Sequence, residues 1–167
     1  MLCKLTKREM HLADCLGRDT VRICNMSGAT PRWADDDDGA KRINNNIMAY
    51  RGEILFARIF NLDMPTLNVM GDNGVDCWLG DMSVDVKTSM KPQLIFDKKG
   101  FKAEAAVAFQ QTDQDDVLDL MGWITKADFN KKFYLHDYGR GERGVVDGEN
   151  LNPIESLWLE TITAMAS

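Results

Sequence analysis

Apolar residues recur at three- and four-residue steps through Ala40 to Leu62, where Ile43, Ile47, Tyr50, Ile54 and Ala57 form one stripe and Met48, Leu55, Ile59 and Leu62 a second. That pattern predicts a helix buried on more than one side. Nearer the start, Thr6-Lys7-Arg8-Glu9 has the form of a capping box, so a short helix is expected to about Leu16, closed by Gly17. Arg18 to Pro31 reads as a brief apolar patch giving way to a loop. Towards the other end, Asn152-Pro153-Ile154-Glu155 joins a capping residue to a proline, and Ile154, Leu157, Trp158, Ile162 and Met165 share a face. A closing amphipathic helix follows from this, with Trp158 expected in the core.

Between the helices the texture changes to short β-type runs. Thr66–Met70, Val75–Leu79 and Met82–Thr88 are separated by Gly71-Asp72-Asn73-Gly74 and Gly80-Asp81, which predicts a β-meander. Further strands are expected at Leu94–Phe96, Ala105–Gln111, Val117–Trp123 and Phe133–Tyr138, with a short helix from Thr125 to about Lys132. This element order is that of an α/β protein. A chain of 167 residues, 44% hydrophobic and 28% charged, suits a single domain, with its core over about 40–132 and helical extensions at both ends.

No apolar run approaches the roughly 18 residues of a membrane helix. Charges at Lys4, Lys7, Arg8 and Glu9 fall where a signal peptide needs its apolar core, so a cytoplasmic location is expected, with Cys3, Cys15, Cys24 and Cys77 as free thiols. Lys and Arg number 20 against 26 Asp and Glu, a net charge of −6. That balance excludes a protein that coats nucleic acid through bulk positive charge, so any such contact must be local.

The chemistry concentrates in Gly74-Val75-Asp76-Cys77-Trp78 and Val84-Asp85-Val86-Lys87-Thr88-Ser89. Side chains two apart on a strand share a face, which sets Asp85 and Lys87 on one side, roughly 6.5 to 7 Å apart along the backbone. If Asp76 pairs near Asp85, two carboxylates and an ammonium meet on a sheet, and a divalent cation is the natural counter-charge. Carboxylate oxygens suit Mg²⁺, which keeps several waters and takes further ligands from phosphate. Glu53 lies among Ala49, Tyr50, Phe56, Ala57 and Phe60 on the long helix, and a carboxylate in an apolar arc needs a donor, a cation or a proton. It is assigned to the same metal site.

These residues resemble the PD-(D/E)XK nuclease superfamily, the restriction-endonuclease-like fold, whose pattern is a helical Glu, an Asp, then Asp/Glu-X-Lys. Here they are Glu53, Asp76 and Asp85-Val86-Lys87, within an element order similar to that family's αβββαβ core with a central mixed sheet flanked by helices. Val75 stands where the family name has proline. The resemblance covers about Ala40 to Lys132. It implies a Mg²⁺-dependent deoxyribonuclease, with Mn²⁺ able to substitute. Asp76, Asp85 and Glu53 would bind metal and Lys87 would assist the nucleophile. Compact members of this kind are found in phages and mobile elements, in DNA replication, recombination or degradation. Cutting within a strand and from an end, as endonuclease or exonuclease, are both compatible with it.

Lys98, Lys99 and Lys102 form a basic patch around Gly100, Lys126, Lys131 and Lys132 line the later helix, and Arg140 and Arg143 stand in a glycine-rich loop; all are candidate phosphate contacts. DNA is the expected partner, held with help from a homodimer or a protein partner and without a membrane. Gln110 and Gln111 end an apolar strand within reach of the proposed site. Gly139 to Gly144 spells GxGxxG, but no helix follows to present its N-terminus, so a mobile loop is expected instead of a dinucleotide site. Asp35 to Asp38 reads as solvated charge before a helix. Cys3, His11, Cys15 and Cys24 include no CxxC pair or tight Cys/His spacing, so zinc is not expected. A competing class is a non-catalytic acidic protein that mimics nucleic acid, favoured by the net charge and by Asp113, Asp115, Asp116 and Asp119.

Overall fold

The computed structural model describes residues 1–27, 39–67, 74–97, 101–139 and 141–165, with side chains to 160. The Asp35 to Asp38 run and most of the Thr66–Met70 segment lie outside them. The chain divides into two compact units, Lys4–Gly71 and Met1–Cys3 with Asp72–Ser167. Among the described residues no helix is long and apolar enough to cross a membrane.

The first unit holds two helices, α1 (Lys7–Met26) and α2 (Gly39–Ile59). The capping box forms as expected: the Thr6 hydroxyl accepts the Glu9 N–H and the Glu9 carboxylate accepts the Thr6 N–H. Gly17 does not end α1, however, and the stretch from Arg18 is helical to Met26. The reason is contact. Gly17 is buried where α2 crosses, and a Cβ placed on it would stand 2.6 Å from Ile47 Cγ1 and 2.7 Å from the Ile47 backbone nitrogen. This glycine is a site of close helix approach and not a cap. The helices run antiparallel, since Arg58 bonds Glu9 at 2.7 and 3.0 Å, Tyr50 meets Thr20 at 3.0 Å and Arg42 reaches Asn25 at 3.4 Å. Four consecutive buried residues, Ile54, Leu55, Phe56 and Ala57, show that α2 is enclosed on more than one side, as its two stripes predict.

The second unit is mixed α/β. Its strands are β1 (Leu2–Lys4), β2 (Cys77–Leu79), β3 (Met82–Ser89), β4 (Gln93–Asp97), β5 (Ala105–Gln111), β6 (Val117–Thr125), β7 (Tyr134–Asp137) and β8 (Glu142–Asp147). A five-stranded mixed sheet has the order β1-β6-β5-β3-β2, and a three-stranded antiparallel sheet the order β4-β8-β7. The last two runs of the expected meander form an antiparallel hairpin, β2 with β3, while most of its first run lies outside the described residues; β4 joins the other sheet, and β3 takes β5 as a parallel neighbour. Parallel strands need a crossover connection, and the excursion through β4 supplies it. Ser83 and Glu104 lock the start of this pair. The Glu104 carboxylate accepts the Ser83 N–H at 2.8 Å and its hydroxyl at 3.0 Å, while the Glu104 N–H reaches the Ser83 hydroxyl at 3.0 Å.

Two further helices, α3 (Lys126–Lys132) and α4 (Ile154–Met165), complete this unit. Thr125 caps α3 through its side chain. On α4, Ile154 and Leu157 are buried but Trp158 is 41% exposed, so the expected core tryptophan is instead Trp123 on β6, whose indole N–H donates to Ser156 at 2.9 Å. Of the GxGxxG segment, Glu142 to Gly144 lie in β8, paired with β7, and the Asp137 carboxylate accepts the N–H groups of Gly139 and Gly141. Gly139 and Gly141 have φ of 84° and 92°, values that favour glycine.

Candidate functional site: the Asp76, Asp85 and Lys87 cluster

β3 is an inner strand whose neighbours are unequal. β5 accompanies it from Val84 to Ser89, whereas β2 covers only Met82 to Val84. Beyond Val84 the β2 side of the strand is left to other groups. Asp76, just before β2, donates its N–H to the Val84 carbonyl at 2.9 Å and accepts the Val86 N–H on Oδ2 at 2.6 Å. The Asp76 carboxylate thus substitutes for a ladder carbonyl. Because Val86 N belongs to the peptide that follows Asp85, this oxygen lies within about 5 Å of the Asp85 Cα.

Strand alternation sets Asp85, Lys87 and Ser89 on one face, beside Ala106, Ala108 and Gln110 of β5. Ala106 and Ala108 stand directly opposite Asp85 and Lys87, and their small size leaves room for the two polar side chains. The same face carries an apolar cluster of Leu94, Phe96, Phe101, Ile124, Phe129 and Val146. Asp85 is 1% exposed, and its Oδ1 accepts a hydrogen bond from the Lys87 ammonium. The lysine, about a third exposed, also sits 5.4 Å above the Phe96 ring centroid. A carboxylate so fully removed from water requires a compensating cation, and Lys87 provides one.

The structure therefore brings Asp76, Asp85 and Lys87 together. Glu53 belongs to the helical unit, where it is half-buried on α2 with Tyr50, Phe56 and Ala57 buried and Ala49 and Phe60 half-buried around it. Of the two glutamines, Gln110 shares the Asp85 face opposite Ser89. Gln111 points to the other face and donates to the carbonyls of Thr112 and Gln114, which makes it a loop staple. Lys102 is exposed. Arg143 is on β8, 3.4 Å from Asp97, and Lys98, Lys99 and Arg140 fall outside the described residues. Lys131 bonds Asp128 and Lys132 the Asn150 carbonyl. Sequence reasoning missed Phe96, whose ring borders the Lys87 ammonium; its signal is the Leu94-Ile95-Phe96 alternation, but that pattern does not reveal which sheet β4 joins.

Carboxylate donors on Asp76 and Asp85 are of the chemical type Mg²⁺ prefers. Among the described residues no three His, Cys, Asp or Glu side chains gather as a complete protein cage would require, so water and phosphate oxygens would supply the remaining ligands. No family model, curated protein or solved structure matches the chain.

Proposed function

We propose that this protein is a Mg²⁺-dependent DNA nuclease with a PD-(D/E)XK-type centre at Asp76, Asp85 and Lys87, set in a restriction-endonuclease-like core. The observation that carries this reading is the buried Asp85, bonded to Lys87 two residues on, with the Asp76 carboxylate held on the adjoining peptide. A divalent cation at these carboxylates would lower the pKa of a bound water and shield phosphate charge. The chain's own groups do the rest. Asp85 and Asp76 are pre-positioned by strand and peptide, which reduces the cost of ordering donors. Lys87, anchored by Asp85, supplies a positive charge to steady the negative charge developing on a phosphate oxygen or to orient the attacking water. Glu53 enters this proposal through the sequence pattern alone.

A non-catalytic acidic binding protein is the second reading. It is favoured by the fact that Asp76, Asp85 and Lys87 already bond one another or the backbone, as structural charges do. Cleavage assays separate the two. Supercoiled plasmid, linear duplex, single-stranded and branched DNA would be incubated with Mg²⁺ or Mn²⁺ and the wild-type, Asp85→Asn or Lys87→Ala chain. Metal-dependent cleavage lost in both variants is expected; no cleavage of any DNA, or cleavage surviving both substitutions, overturns the nuclease.

A further inference from the structure

On the exposed side of α1, His11 and Cys15 stand one helical turn apart, with the imidazole Nε2 3.7 Å from the Cys15 Sγ. A tetrahedral zinc ion with Zn–S of about 2.3 Å and Zn–N of about 2.0 to 2.1 Å separates its sulfur and nitrogen ligands by about 3.5 Å. The pair is therefore spaced as a bidentate clamp, needing a shift of a few tenths of an ångström. Thiolate and imidazole select zinc-class ions, while Mg²⁺ prefers oxygen, so this chemistry is separate from that of the carboxylates on β3. His11-x-x-x-Cys15 is not a tight spacing along the chain, but the two side chains become neighbours once wound into a helix.

One turn of helix supplies two ligands, and a closed zinc site needs four. Among the described residues no third metal-ligating side chain joins them. Cys24 is more than two turns further along α1, and Cys3 is buried on β1. We propose that His11 and Cys15 are half of a zinc site completed by the same two residues of a second copy of this chain, giving a Cys₂His₂ centre on a twofold axis. Such an interface is self-complementary, the commonest form of homodimer. Two thiolates balance the charge of the dication.

The register follows from the ligands. With the α1 helices antiparallel and His11 facing Cys15 of the second copy, Lys7 faces Asp19, and Arg8 faces Arg18. The first pair attracts and the second repels, so surface charge contributes little net attraction and the metal supplies the affinity. The dimer is consequently metal-dependent.

The test uses the full chain, reduced and stripped with EDTA, titrated with Co²⁺ and then Zn²⁺. The expected result is a thiolate-to-cobalt charge-transfer band with intense visible bands of a tetrahedral ion, saturating at one metal per two chains and displaced by Zn²⁺. Sedimentation should show a twofold rise in mass with Zn²⁺, reversed by EDTA. Both signals should vanish in Cys15→Ser and His11→Ala, surface changes that leave the fold intact by circular dichroism, and persist in Cys24→Ser. Saturation at one metal per chain without a mass change overturns the proposal, as does a cobalt spectrum that survives Cys15→Ser.

Discussion

Lys87 bonds Asp85 from two residues along the same strand, and the aspartate it neutralises is almost wholly removed from solvent while the lysine is not. That asymmetry predicts unequal effects of removing either partner. Lys87→Ala leaves a buried carboxylate without its cation and should destabilise the fold by about 2–3 kcal/mol, below the full cost of a completely buried pair because Lys87 retains access to water. Asp85→Ala/Lys87→Ala should lose less than the two single changes added together, a coupling of about 1–2 kcal/mol. Urea denaturation of the four proteins measures this directly; additive losses would show that the ion pair contributes nothing.

Asp76 has a structural task that can be separated from a catalytic one. Asp76→Asn retains an oxygen to accept the Val86 N–H, so its stability should stay within about 0.5 kcal/mol of the wild type, whereas Asp76→Ala exposes that donor and should cost about 1–2 kcal/mol. A metal-binding role depends on charge. DNA cleavage should therefore fall to background in both variants, although only one is destabilised. Cleavage retained by Asp76→Asn would assign this residue to strand capping alone.

Several elements are legible because their signals are local. The Thr6 and Glu9 capping box, the double stripe of α2 and the span of β5 from Ala105 to Gln111 follow from neighbouring residues and appear as expected. Pairing is not local. Nothing in Leu94-Ile95-Phe96 states that β4 joins β8 instead of β3, because an alternating strand fits either sheet. Gly17 misleads for the same reason: a glycine that closes a helix and a glycine that admits a second helix look alike until Ile47 is placed against it. Alternation along β3 places Asp85 and Lys87 on one face, but that Ala106 and Ala108 make room for them depends on the parallel register of β3 and β5, which is not local.

Gly17 also gives a prediction opposite to helix propensity. Alanine in place of glycine favours an isolated helix by about 1 kcal/mol. Here the added methyl would meet the Ile47 backbone nitrogen at 2.7 Å and Cα at 2.9 Å, atoms that cannot rotate away. Gly17→Ala should consequently destabilise the protein by about 1–3 kcal/mol net. Ile47→Val should not restore it, since the obstruction is backbone. A thermal midpoint raised by Gly17→Ala would contradict the close approach of α1 and α2.

The Ser83 and Glu104 lock makes stability depend on acid. Hydrogen bonds from the Ser83 N–H and, second, its hydroxyl hold the Glu104 carboxyl below the ordinary glutamate range, outweighing a small opposing effect of burial. A carboxyl depressed in the folded state binds fewer protons there than in the unfolded chain. Its contribution is thus fully present above the ordinary glutamate range, declines as pH falls through it, and is gone once the folded-state group is protonated. Glu104→Gln keeps an oxygen for Ser83 but cannot titrate. The urea midpoint of the wild type should therefore fall more steeply than that of Glu104→Gln as pH is lowered from neutral into the acid range, with the curves converging at the acid end. Asp128, depressed chiefly by its bond from Lys131, remains in both proteins and cancels in the comparison. Parallel midpoints across the whole range would show that Glu104 sets the β3–β5 register by shape alone and carries no charge-linked stability.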